Sequence, residues 1–210
     1  MGAVSKKEKL YYLKRALFHP FDGFYEIRFR NKGSVGIAAI LLVLYGILQC
    51  ISYQYTGFIV NEKPLHEMDS ISIFISSITI LLLLVVSNWT VTTLFNGKGK
   101  LKDIFIVVCY SLIPLIVVES IYTFTSNFII EEEAMILSAI RWLGIAWMVF
   151  LILGGLCVIH EYSFGLNLVT LVITAVAAVI LVFLGVLFFT LMERMISFFS
   201  SVLEEFMRRM

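Results

Sequence analysis

Apolar residues along this chain gather into five long runs instead of the alternating or 3.6-residue pattern of a half-buried surface element. The runs cover residues 35–58, 71–95, 103–127, 139–160 and 167–191. A helix needs ~20 mostly apolar residues to cross the ~30 Å hydrocarbon core of a bilayer, and each run reaches that length. In hydrocarbon a backbone must satisfy its own hydrogen bonds, so runs of this kind become helices. The pattern predicts an all-α membrane protein: a five-transmembrane-helix bundle with amphipathic interfacial helices at both ends. The chain then divides into a basic amphipathic segment at 1–33, a five-span membrane domain at 34–191 and an amphipathic carboxyl-terminal helix at 192–210.

The flanks carry their own periodicity. Ser5-Lys-Lys-Glu8 has the spacing of a capping box, in which each side chain satisfies the other's exposed backbone N–H. Leu10, Leu13 and Leu17 follow on one face, with Lys6, Lys7, Lys9, Lys14 and Arg15 around them. A short basic amphipathic helix of this kind suits an anionic lipid surface. A solvated helix at a chain end, or docking on a partner subunit, fits the same pattern. His19-Pro20 closes this helix and can open another, because proline is well placed at a first helical position. Phe21, Phe24, Tyr25, Ile27 and Phe29 then mingle with Asp22, Glu26, Arg28 and Arg30, as in a segment lying at the membrane interface, and Gly33 breaks it. Beyond residue 191, Met195, Ile196, Phe199, Val202, Leu203 and Phe206 form a stripe against Glu193, Arg194, Glu204, Glu205, Arg208 and Arg209. That tail is either an interfacial helix or a straight extension of the fifth span.

Within the spans, Pro114 removes a backbone hydrogen bond and predicts a kink, with Ser111 placed to re-satisfy a freed carbonyl. A gating hinge is the sharper reading of the same break. Gly154-Gly155 and Ala175, Ala177 and Ala178 offer surfaces for close helix approach.

Charge sets the topology. The formal net charge of +1 leaves no global field for nucleic acid. Placing the amino terminus on the cytoplasmic side puts eleven basic residues inside, including Lys98, Lys100 and Lys102, and five outside. Five spans then carry the carboxyl terminus outside. No short apolar stretch near the start suggests a cleavable signal peptide. Cys50, Cys109 and Cys157 all fall inside spans and read as small apolar packing residues.

Candidate chemistry is sparse. Glu119 is the clear intramembrane acid, and such residues are functional candidates because their burial is costly. A Glu119–Arg141 pair would lock the third and fourth spans; a hydrated carboxylate and a proton or ion relay are the alternatives. His160-Glu161 lacks the second histidine four residues on that a zinc protease requires, since position 164 is Phe164. Glu204-Glu205 with Arg209 matches an EExxxR protease pattern by chance, without the later histidine motifs. Asn88-Trp-Thr90 has the form of a glycosylation sequon but lies within a span. Glu131, Glu132 and Glu133 read as a solvated acidic loop. No catalytic residue, metal ligand or cofactor is expected.

A set of short motifs now falls in order: Pro20-Phe-Asp-Gly-Phe24 before the first span, Trp89-Thr-Val-Thr-Thr-Leu94 closing the second, then Asn96-Gly-Lys-Gly99, Leu101-Lys-Asp-Ile104 and Tyr110-Ser-Leu-Ile-Pro114. Over residues 17–190 this order resembles the Yip1-domain family, particularly its bacterial members. The resemblance implies five spans and a cytoplasmic amino terminus. Eukaryotic relatives act as membrane adaptors in vesicle traffic and contact Rab-type GTPases; this chain lacks their long polar amino-terminal region and D-L-Y-G-P type motif. Some bacterial relatives accompany transport systems, ABC-type importers included. The resemblance therefore implies a non-enzymatic adaptor or scaffold, an accessory subunit of a membrane transport complex. Its partners would be other integral membrane proteins and anionic lipids, with a homo-oligomer as a further state. Lys6 to Arg15 and the Asn96–Lys102 loop would form the contact face. A channel or small-solute transporter centred on Pro114 and Glu119 is the second class. Lipid remodelling by the terminal helices is the third.

Overall fold

A computed structural model of the chain describes residues 6–30, 32–61 and 69–209, with side chains from residue 12 onward. Ser5 of the expected capping box lies outside the described residues. The described chain is helical throughout: α1 (Lys6–Phe18), α2 (Pro20–Phe29), α3 (Val35–Tyr55), α4 (Ser70–Leu94), α5 (Leu101–Ser111), α6 (Ile113–Thr125), α7 (Ala134–His160) and α8 (Phe164–Arg209). Five helical stretches are long and apolar enough to cross a membrane, α5 and α6 together forming the third.

The first, second and fifth spans bury only a narrow face, and their exposed positions are mostly apolar, as a bundle without a hydrophobic drive between its helices requires. The densest packing lies around α5, where Ile104, Val107, Val108, Tyr110 and Leu112 are almost fully buried between α3, α4 and α7. The end of the bundle where α4 stops, α5 starts and α7 stops is called the basic end below.

Pro20 sits in the first turn of α2, as the sequence predicts, and the α1–α2 pair forms a tight helical hairpin. Phe24 and Ile27 of α2 enter the core, while Phe21, Tyr25 and Phe29 stay exposed. The hairpin closes because position 23 has no Cβ. A methyl there would lie 2.4 Å from the backbone of Ala16.

Pro114 does break the third span, separating α5 from α6 at Leu112. Ser111 does not reach the carbonyl that proline frees, four residues before it at Tyr110. Its hydroxyl instead donates back to the Val107 carbonyl at 2.8 Å, an i−4 bond that bends helices by itself.

The tail takes the straight form. α8 runs unbroken across the 191/192 boundary for 46 residues, ~69 Å at 1.5 Å per residue.

Gly23→Ala should therefore destabilise the protein by about 1–3 kcal/mol, the cost of overpacking a closed contact. Gly165→Ala, where nothing lies within 4 Å, should not. Unfolding of both variants in mixed micelles checks this, and equal stabilities would remove the tight hairpin.

Candidate functional site

Two polar clusters interrupt the apolar bundle. The first, away from the basic end, holds Glu119, whose side chain is 1% exposed. Arg141 of α7 forks onto it, Nε donating to Oε2 and Nη2 to Oε1, both at 2.9 Å. Ser52 of α3 donates to Oε1 at 3.0 Å. The guanidinium carbon stands 4.9 Å from the centre of the Tyr122 ring. The pair expected from the sequence thus exists as a bidentate bond, the strong form of an arginine–carboxylate contact, and ties α3, α6 and α7. Three residues along α7, a Cβ on Gly144 would come within 2.8 Å of Val118, so α6 and α7 are close enough for Arg141 to reach. Chemically this is a clamp: both carboxylate oxygens are engaged by donors of the protein itself. The proline break lies five residues before Glu119 and does not touch this cluster.

The second cluster forms at the basic end around Asn96-Gly-Lys-Gly99. Asn96 adopts a left-handed backbone, φ 55°, which turns the chain out of α4. A Cβ on Gly97 would lie 2.7 Å from His160 Nδ1 and from the Tyr162 hydroxyl; one on Gly99 would lie 2.5 Å from Ile159. Both glycines are needed for the loop to lie on the end of α7. Gly99 N–H then donates to His160 Nδ1 at 3.3 Å. This makes Nε2 the protonated nitrogen, facing Asn88 Oδ1 at 3.3 Å. Asn88 Nδ2 donates to the Thr174 hydroxyl at 3.2 Å. Thr174 donates to the Thr170 carbonyl, Thr170 to that of Asn167, and Asn167 to that of Leu153 in α7. His160, Asn88, Asn167, Thr170 and Thr174 are each at most 1% exposed. A polar seam thus runs from the loop through α7 and α4 to α8.

Ion pairs cover the seam. Arg28 of α2 meets Asp103 in the first turn of α5 at 3.2 Å and also donates to the Lys98 carbonyl. Lys98 pairs with Glu161, the left-handed residue that ends α7. Tyr162 stacks on His160 with ring centres 5.2 Å apart, and burial raises its phenol above the usual range.

The basic residues expected at a contact face therefore divide. Lys98 is committed to Glu161. Lys14, Lys100 and Lys102 are exposed and Arg15 is half-buried. Lys6, Lys7 and Lys9 fall in α1, with side chains outside the described residues. Asn88, His160, Asp103 and Arg28 are brought together although the sequence reading singled out none of them for it. The signal was present in α8: Asn167, Thr170 and Thr174 recur at i, i+3 and i+7 on one face of an otherwise apolar helix.

A sequence profile of the Yip1 domain matches residues 14–187. The chain belongs to the Yip1-domain family. The match opens at Lys14 in α1 and runs into α8, so it takes in the hairpin, both clusters and the whole seam. No curated protein and no solved structure matches the chain. Among the described residues, no group of three or more His, Cys, Asp or Glu side chains is placed to hold a metal ion.

Two outcomes follow from these bonds. Arg141→Ala should cost about 3 kcal/mol, the low end for breaking a buried pair, because the Arg141 side chain is 39% exposed. Combining it with Glu119→Leu should recover part of that loss; additive losses in a double-mutant unfolding cycle would deny the clamp. Asn88→Leu should cost about 1–2 kcal/mol, the range for an intramembrane hydrogen bond that strands its partners. Proteolysis at α8 should rise with it, and unchanged protection would show that α8 docks without the seam.

Proposed function

We propose that this Yip1-domain protein is a non-enzymatic integral membrane adaptor that binds other integral membrane proteins. More narrowly, it is an accessory subunit of a membrane transport complex, with an ABC-type importer as the first choice. It resides in a cytoplasmic membrane with its amino terminus on the cytoplasmic side and its carboxyl terminus outside.

The observation that carries the reading is the direction in which its charges face. Inside the bundle, Glu119 is held by Arg141 and Ser52, and His160 by Gly99 and Asn88. A solute path needs polar groups open to water, and these are closed onto one another. Outside, α8 offers a long apolar surface on which only Asn167, Thr170 and Thr174 are buried. The exposed Lys100 and Lys102 stand at the basic end. Lateral apolar contact and a basic cytoplasmic face are what an adaptor presents to membrane partners.

Purification of the tagged protein from its own membranes in gentle detergent should recover transporter subunits in stoichiometric amounts. Reversing the charge of Lys6, Lys7 and Lys9 together with Lys100 should release them, whereas Glu119→Gln should not. Recovery of the chain alone as a defined homo-oligomer, or activity that follows Glu119 and not the lysines, would overturn the reading.

A further inference from the structure

Along one side of α7 runs a groove that the bundle leaves open. At its mouth, where α1 meets α2, stand Lys14, Arg15 and His19. This opening shares Phe18 and His19 with a second stretch walled by Trp147 and Phe150. That stretch shares Phe21 and Phe150 with an apolar trough of about 540 Å³. Trp142, Ala146, Val149, Leu153 and Cys157 floor the trough, and Phe164 of α8 closes one side. These α7 positions recur every three or four residues, so they form one continuous face, ~22 Å long from Trp142 to Cys157.

The two parts call for opposite chemistry. The trough is lined by aliphatic and aromatic groups. At the mouth, neither Lys14 nor Arg15 is paired with a carboxylate among the described residues. Among the described residues, Asp22 is the one acid on the connecting wall, against two permanent cations and His19. An occupant that fits both must carry a negative head and an apolar tail.

Position within the bundle selects among such molecules. Arg28 near the end of α2 meets Asp103, Phe24 packs by Gly155, and Phe21 lies by Gly154 and Phe150. α2 thus runs alongside α7, and the hairpin turn stands ~9–15 Å in from the end of α7 at His160. That places the cations beside the spans and not over the bundle's end.

We infer that this groove holds one anionic glycerophospholipid. Its phosphate sits against Lys14 and Arg15, the planar guanidinium taking two oxygens, and one acyl chain lies along the α7 trough. A choline headgroup would bring its own cation to the same mouth and bind less well. The site does not depend on the adaptor reading, since it needs no protein partner.

Native mass spectrometry of the full-length protein in mild detergent, titrated with phosphatidylglycerol or phosphatidylcholine, tests this. One phosphatidylglycerol should be retained in preference to phosphatidylcholine, and glycerol 3-phosphate should not displace it. Lys14→Gln and Arg15→Gln should each weaken retention about fivefold, the ratio for one basic residue at a lipid headgroup. Ala146→Trp or Val149→Trp, both at exposed positions, should abolish retention by filling the trough with the cations intact. Thermal unfolding of each variant confirms that it folds. Equal retention of the two lipids, or retention unchanged in the trough variants, would overturn the inference. So would a lipid-free dimer that the trough variants dissociate, which would assign the trough to a second copy of the chain.

Discussion

The hydrogen bond from Asn88 to Thr174, 3.2 Å long, is the contact on which the placement of α8 rests. α8 is apolar almost everywhere, and in hydrocarbon an apolar side chain gains little by exchanging a lipid neighbour for a helix neighbour. What α8 cannot leave to lipid are its polar groups. Asn167, Thr170 and Thr174 are the described residues that it buries. Asn88 of α4 donates to Thr174 and the Leu153 carbonyl of α7 accepts from Asn167, while Thr170 bonds within α8. Asn88 is held in turn: His160 positions it, and the backbone of Gly99 positions His160. The docking of the fifth span is thus decided in a loop between the second and third, by two glycines without which the loop would collide with α7.

Seen this way, the short motifs that mark the family are pins between helices. Pro20 starts α2 and Phe24 fills the space beside Gly155. Asp103 holds α2 through Arg28. The Tyr110 hydroxyl accepts the Ser34 N–H at 3.2 Å, serving the start of α3, where the Ser34 side chain makes no cap. Pro114 opens α6, the helix that carries Glu119. Each of these residues acts at a junction between helices. A shared scaffold of this kind fixes a fold and leaves the partner to the surface.

The spans were legible because length and apolarity are local properties, and a bilayer imposes both. Their edges were less so. The fourth run, read as 139–160, forms a helix from Ala134, because Ala134-Met-Ile-Leu137 continues the apolar run with good helix formers. The Glu119–Arg141 pair was readable since each residue is conspicuous in an apolar context. The seam was not, for a physical reason: Asn88 and His160 gain their meaning from one another across 72 positions of sequence. Taken singly, one resembles a sequon and the other a failed metal motif. The i, i+3, i+7 recurrence in α8 was a local signal that a polar face existed, but not of what it faced.

The straight tail of α8 follows from the same separation of scales. Charge returns at Glu193 and Arg194, which marks where the apolar run ends, yet nothing there ends the helix. Between Gly185 and Arg209 there is no glycine, proline or asparagine to supply a C-cap or a break. Leucine, methionine, glutamate and arginine are strong helix formers. Glu204 with Arg208 and Glu205 with Arg209 add i, i+4 pairs near the terminus. Residues 192–209 therefore prolong the rod by ~27 Å, and because a helix is stiff over that length, their direction is inherited from the span. The seam sits near the start of α8, three to ten residues past Phe164. A few hydrogen bonds at one end of the bundle thus aim an amphipathic segment at the other, and any partner that engages that segment meets it at an angle set beside His160.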